Sequence, residues 1–178
     1  MSSTLKIAIL AGAAGTVMGY SAPAHAASMR FDCDSFDGAY SEVVQTQNGP
    51  AYGLKAEITA KRLGRHRDWW PNALIEIRSA DGKSAIGVQF RASSYQNRTV
   101  SVMLITTSGG EKKEYSVATV KLDEAVSAAI TVRDGKVRAD VAGEFAEAPI
   151  SVGSGAELRV ACSTGEFMFE RLEMTAAD

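Results

Sequence analysis

The chain has 178 residues, of which 22% are charged, and carries a formal net charge of −2 at pH 7. So weak and slightly acidic a balance argues against general nucleic-acid binding, which needs broad neutralisation of phosphates. Hydrophobic residues make up 46% of the chain, enough for one sizeable core. No apolar run reaches the roughly 20 residues that a membrane-spanning helix requires.

The first element reads as a leader. Lys6 is a short positive start, residues 7–19 form an apolar run rich in small residues, and Ala24-His25-Ala26 offers a small-x-small cleavage pattern. We expect residues 1–26 to be a signal peptide and residues 27–178 to form one domain of an exported protein, periplasmic or extracellular. Removing the leader also removes His25, which leaves His66 as the one histidine. The two cysteines, Cys33 and Cys162, lie near the two ends of what remains. In an oxidising compartment such a pair is most simply one disulfide.

DCDSFDG (32–38) places Asp32, Asp34 and Asp37 close together before a glycine. Clustered carboxylate oxygens on a turn are what calcium takes as ligands, although the spacing misses the EF-hand pattern by one residue. The plainer expectation is a solvated acidic turn beside the disulfide. No other cofactor is expected. One histidine and no spare cysteine exclude zinc sites built on several such ligands.

From residue 52 onward the chain alternates with period two. In YGLKAEITA (52–60), Tyr52, Leu54, Ala56, Ile58 and Ala60 share one face, and Lys55, Glu57 and Thr59 the other. ALIEIRS (73–79) and SAIGVQFRA (84–92) follow the same rule, with the hairpin signal Asp81-Gly82 between them. TVSVMLITT (99–107) turns at Gly109-Gly110 into KEYSVATV (113–120). AAITVRDGKVRADVAG (128–143) reads as a second hairpin around Asp134-Gly135. AELRVAC (156–162) and GEFMFERLEM (165–174) close the chain, the latter with a bulge or two buried faces around Phe167 to Phe169. The one helix-like piece is DEAVSAAI (123–130). Roughly ten or more short strands without helices predict an all-β, two-sheet antiparallel jelly-roll sandwich.

KRLGRHRDWWPN (61–72) interrupts the strands with a basic run leading into two tryptophans. Adjacent strand residues point to opposite faces, so one tryptophan is expected in the core and the other outside. Parity alone does not choose between them; carried back from the inward Ile75 and Ile77 with no bulge at Pro71, it points to Trp69. An exposed tryptophan beside arginines can stack on a sugar ring or hold an anion. The expected ligand-binding residues are Arg65, His66, Arg67, Trp69 and Trp70, with Tyr95 and Arg98 from SSYQNR (93–98). The structural alternative is a charged loop whose outer tryptophan covers apolar surface. Asn97-Arg98-Thr99 also matches a glycosylation acceptor. A Ser-His-Asp triad would have to use His66, whose neighbours Arg65 and Arg67 disfavour the imidazolium that a general base must form.

VKLDEAVSAAITVRDGKVRADVAG (120–143), with its tip at Ala142-Gly143, and LIEIRSADGKSAIGVQFRA (74–92) resemble the strands of concanavalin A-like and laminin G-like jelly rolls. The resemblance spans most of residues 31–174 and implies that GEFMFERLEM returns beside AYSEVVQ (39–45). Such folds host lectins, hydrolases, lyases and adhesion modules alike. Within them, WPNALIEIRSAD is similar to the retaining β-glucanase strand Trp-Pro…Glu-Ile-Asp-x-x-Glu. Glu76 stands at the first carboxylate, Arg78 replaces the helper Asp, and Asp81 replaces the last Glu. Retaining chemistry needs two carboxyls about 5–5.5 Å apart, so Glu76 and Asp81 are weak catalytic candidates. The expected function is a non-catalytic module binding carbohydrate or another cell-envelope component. The alternatives are a glycan-active hydrolase or lyase around Glu76, and a structural module assembling through exposed strand edges. The sequence does not specify an oligomeric state.

Overall fold

A computed structural model describes residues 28–49, 51–148 and 155–176, so the expected signal peptide lies outside the described residues. These form ten strands: β1 (Met29–Gln47), β2 (Tyr52–Leu63), β3 (Asn72–Arg78), β4 (Ala85–Ser94), β5 (Thr99–Ser108), β6 (Glu111–Lys121), β7 (Ala125–Arg133), β8 (Lys136–Val141), β9 (Glu144–Ala148) and β10 (Ala156–Ala176). All pair antiparallel, in the order β6-β5-β4-β3-β10-β2-β7-β8-β9, with β1 on β10. Among the described residues no helix is long and apolar enough to cross a membrane.

Two long strands turn this path into a sandwich. The first half of β10 pairs with β3, from Glu157 opposite Arg78 to Ser163 opposite Asn72. Its second half pairs with β2, beginning at Gly165 opposite Leu63. Between them Thr164 takes a φ of 52°, and the strand leaves one sheet for the other. β1 follows β10 on its free side and breaks register between Ser35 and Tyr40, beside the same bend. One sheet is therefore β6-β5-β4-β3-β10-β1, and the other is β1-β10-β2-β7-β8-β9. The expected two-sheet jelly-roll architecture is the one observed.

The core lies between the sheets. Ile75, Ile77, Val88, Phe90 and Val102 meet Leu54, Ile58, Ile130, Val132 and Phe169, all of them buried as period-two parity predicts. The turns follow their residues too. Asp134 and Gly135 have φ of 51° and 72°, and Ala142 and Gly143 of 51° and 85°, the pattern that two-residue hairpins favour. Cys33 and Cys162 are joined, tying β1 to β10 across 129 residues of chain.

Four details differ from the sequence reading. The helix-like piece at 123–130 is a turn followed by β7, because Val126, Ala128 and Ile130 alternate into the core. The two closing strands are one, β10, since Ser163-Thr164-Gly165 bends the chain without ending the pairing. AYSEVVQ accordingly lies beside AELRVAC, from Tyr40 opposite Ser163 to Gln45 opposite Leu158, while GEFMFERLEM lies beside residues 29–35. Lastly, Trp69 is not in the core. β3 begins only at Asn72, and Pro71 takes the inward position with its carbonyl accepting the Ala92 N–H at 2.9 Å. Both tryptophans precede the strand and stay outside, at 48% and 54% exposure.

Candidate functional site

Loop 64–71, the β4–β5 turn and the bulge of β1 meet at one end of the sandwich. Gly64 anchors the first of these, donating its N–H to the Thr164 carbonyl at 2.9 Å. A Cβ on Gly64 would lie 2.6 Å from that carbonyl oxygen, so no larger residue allows this approach. The Arg65 N–H donates to Asp37 Oδ1 at 3.1 Å, which fixes the loop to the bulge. Across from it, Arg98 holds a φ of 52° at the turn tip, and its carbonyl accepts the Leu122 N–H at 3.0 Å. A left-handed arginine is an uncommon choice where glycine or asparagine would be easier.

The side chains of this end form an aromatic and cationic platform. Trp70 stacks on Tyr95 with ring centroids 5.7 Å apart, and the Arg65 guanidinium sits 5.3 Å from the centre of the Tyr95 ring. Burial pushes the Tyr95 phenol above its ordinary range, with Arg65 opposing. Two shallow depressions share Arg65 and Tyr95 as their common wall. One, of about 620 Å³, adds His66, Arg67, Ser94 and Gln96. The other, of about 240 Å³, adds Lys61, Arg62 and Arg98 with two leucines.

The residues expected to bind ligand are thus brought to one end, with different roles. Trp70, Tyr95, Arg65 and Arg98 face the depressions or stack beside them. His66 is exposed and lines the larger depression, with its ring edge beside Gly38 and its Nδ1 accepting the Asp68 N–H at 3.3 Å. Arg67 pairs with its neighbour Asp68 at 3.1 Å.

The other candidates are not assembled. Asp32 pairs with Arg30 at 3.0 Å, Asp34 with Arg62 at 2.7 Å, and Asp37 accepts the Arg65 N–H. They do not converge, and among the described residues no group of three or more acidic, histidine or cysteine side chains could hold a metal ion. Glu76 points outward from β3, with Arg159 Nη1 at 3.3 Å from its Oε2. Asp81 sits in the β3–β4 turn, accepting from the Ser79 hydroxyl at 2.6 Å and the Lys83 N–H at 3.0 Å. The Ser79 hydroxyl, then the Lys83 N–H, hold the Asp81 carboxyl below the usual carboxylate range. A general acid needs the opposite shift.

A second surface lies away from this end of the sandwich. On the outer face of the β6–β1 sheet, Met103, Ile105, Gly87 and Ala161 are buried although their parity points away from the core. The sheet therefore curls around this face and makes a trough. One row across it runs Arg159, Glu76, Gly87, Ile105, Glu114, and the next runs Ala161, Leu74, Gln89, Met103, Ser116. At its β1 side Arg159 reaches Glu42 at 2.8 Å and also donates to the Tyr40 hydroxyl, which itself donates to Glu42 at 3.0 Å. The Arg159 hydrogen bond, with that of Tyr40, holds Glu42 below its ordinary value. Burial, then Glu42, raises the Tyr40 phenol. Gln89 Oε1 is buried without a hydrogen-bond partner among the described residues. The signal for this trough was the run without polar side chains on either face of residues 85–88 and 102–105, which a half-buried strand does not show.

No family model matches the chain, and no curated protein matches it. Solved structures do. The alginate lyase from Alteromonas sp. 272 superposes with a TM-score of 0.58 at 11% identity, over 78% of each chain. Alginate lyase AlyC3, solved with dimannuronate, gives 0.55 at 16% identity over 84% of this chain and 74% of that one. The PL7 alginate lyase AlyA1 from Zobellia galactanivorans gives 0.51 at 14%, over 83% and 77%. The fold is the jelly roll of these lyases. The concanavalin A-like resemblance read from the sequence holds at that level, and such low identity extends it no further than the fold.

Proposed function

We propose that this protein is an exported carbohydrate-binding module whose ligand sits on the Trp70–Tyr95 platform. The observation that carries the reading is the exposed Trp70 ring, stacked on Tyr95 beside Arg65 and held by loops anchored to the sandwich. Flat aromatic faces bury the apolar side of a sugar ring, and adjacent guanidinium donors take its polar groups. Rigid β scaffolds commonly carry such sites on their loops. The neighbours of the same fold are named as alginate lyases, which supports a polysaccharide ligand. The disulfide supports an oxidising destination, periplasmic or extracellular.

The non-catalytic reading draws on the pairing of charges. Glu76 and Asp81 are apart and engaged by other groups, and Arg91 and Lys112 both pair with Glu114, at 3.4 and 2.7 Å. The trough favours a second reading, a glycan lyase. There Arg159 would face the carboxylate of an acidic sugar, Glu76 would take the proton beside that carboxylate as the glycosidic C–O bond breaks, Tyr40, kept protonated by burial and Glu42, would protonate the departing oxygen, and Gln89 Oε1 would accept a sugar hydroxyl.

Affinity electrophoresis against soluble polysaccharides, including alginate, tests both. Binding should weaken about tenfold or more in Trp70→Ala, the size of loss that a central aromatic anchor gives. Retardation without any ultraviolet-absorbing unsaturated product supports the module. Accumulation of that product, lost in Tyr40→Phe, would give the lyase reading instead.

A further inference from the structure

The platform reading leaves the chemical class of the sugar open, and the smaller depression narrows it. Its polar lining is Lys61, Arg62, Arg65, Tyr95 and Arg98, and no carboxylate lines it. The neighbouring acids are already engaged. Asp123 pairs with Lys61 at 3.1 Å, Asp34 with Arg62 at 2.7 Å, and Asp37 accepts a backbone N–H. The guanidinium groups of Arg65 and Arg98 have no carboxylate within 4.0 Å among the described residues. Both are carried on fixed backbone, Arg65 by Asp37 and Arg98 by Leu122. Two like charges facing one depression repel each other, and an anion between them turns that repulsion into two charge-assisted hydrogen-bonding partners. The larger depression across the Arg65–Tyr95 wall also lacks an acidic lining residue.

We infer that the ligand is an anionic glycan, with a carboxylate or sulfate group held between Arg65 and Arg98 while its ring, or the next one, lies against Trp70 and Tyr95. This rests on the glycan-binding reading above. It goes beyond it by making negative charge, rather than ring shape alone, the feature that is selected.

The test compares three probes by isothermal titration of the full protein: a mannuronate oligomer, the same oligomer with its carboxyls reduced to alcohols, and a sulfated oligomer of similar length. The acidic oligomer is expected to bind at least tenfold more tightly than its reduced counterpart, and to weaken as salt rises. Arg65→Gln and Arg98→Asn should each weaken it by about tenfold, the loss of a hydrogen bond to a charged group, and should weaken the reduced oligomer by clearly less, so that the gap between the two narrows. Asparagine is chosen at 98 because it tolerates positive φ, and unchanged unfolding midpoints confirm that the variants fold. Tighter binding of the sulfated probe, with the same dependence on Arg98, keeps the anion site and assigns its source to sulfate. Equal binding of acidic and reduced oligomers, indifferent to both variants, overturns the anionic inference while leaving the platform standing. Failure of all three probes to bind removes both.

Discussion

Replacing both cysteines, as in C33A/C162A, is expected to lower the stability of the folded protein by about 4–5 kcal/mol, on the loop-entropy account of a disulfide. The reason is the length of chain that the bond closes: 129 residues separate Cys33 from Cys162. Its place in the fold adds to the effect. Cys33 lies opposite Phe167 and Cys162 opposite Ser41, on either side of the bend where β1 and β10 pass from one sheet to the other. Both cysteines are buried, and Ser35 Oγ lies 3.4 Å from Cys162 Sγ in the same layer. The bulge at 36–39, against which loop 64–68 rests, begins just beyond. Urea denaturation of the double variant beside the oxidised protein measures the loss. An unchanged midpoint would mean that the two strand pairs hold the sheets together without the bond.

Phe169→Ala should cost about 3–5 kcal/mol, as truncation of a large core aromatic does. Phe169 is fully buried on β10, opposite Phe31 on β1 and Ile58 on β2, and its ring stacks on Phe31 with centroids 5.6 Å apart. It touches both neighbouring strands of its sheet, so the cavity left behind has little to collapse into it. Trp69→Ala and Trp70→Ala remove side chains of similar size from the surface, and each should leave stability within about 1 kcal/mol of the parent. The same urea series compares all three. A loss in Trp69→Ala as large as that in Phe169→Ala would return Trp69 to the core and contradict the loop geometry.

The strands were legible because burial here follows parity with few exceptions. Leu54, Ile58, Ile75, Ile77, Ile130 and Val132 all fall inward where alternation puts them. β9 was missed because its five residues, with two glutamates and two alanines around Phe145, show too little apolar contrast to announce a strand. The tryptophans misled for a local reason. Alternation carried back from Ile75 puts Trp69 inward only if β3 extends through Pro71, and the strand begins at Asn72 instead. The aromatic and basic platform was readable, since its members sit within two short segments. The trough was not. Tyr40, Glu76, Gln89 and Arg159 come from four strands, and only the curl of the sheet and the pairing of β10 with both β1 and β3 place them on one face.

The chain contains only two tryptophans, and this makes the location of the ligand directly measurable. Each indole N–H gives one proton–nitrogen signal by nuclear magnetic resonance, and Trp69→Phe and Trp70→Phe assign the pair. The protein is then titrated with a mannuronate oligomer. The account predicts that the Trp70 signal shifts progressively and saturates with the binding curve, because a ring laid on that face changes its local field, while Trp69 moves less. Saturable binding with the Trp70 signal unmoved, and with changes confined to the backbone of residues 74, 89, 103 and 159, would contradict it and place the ligand in the trough.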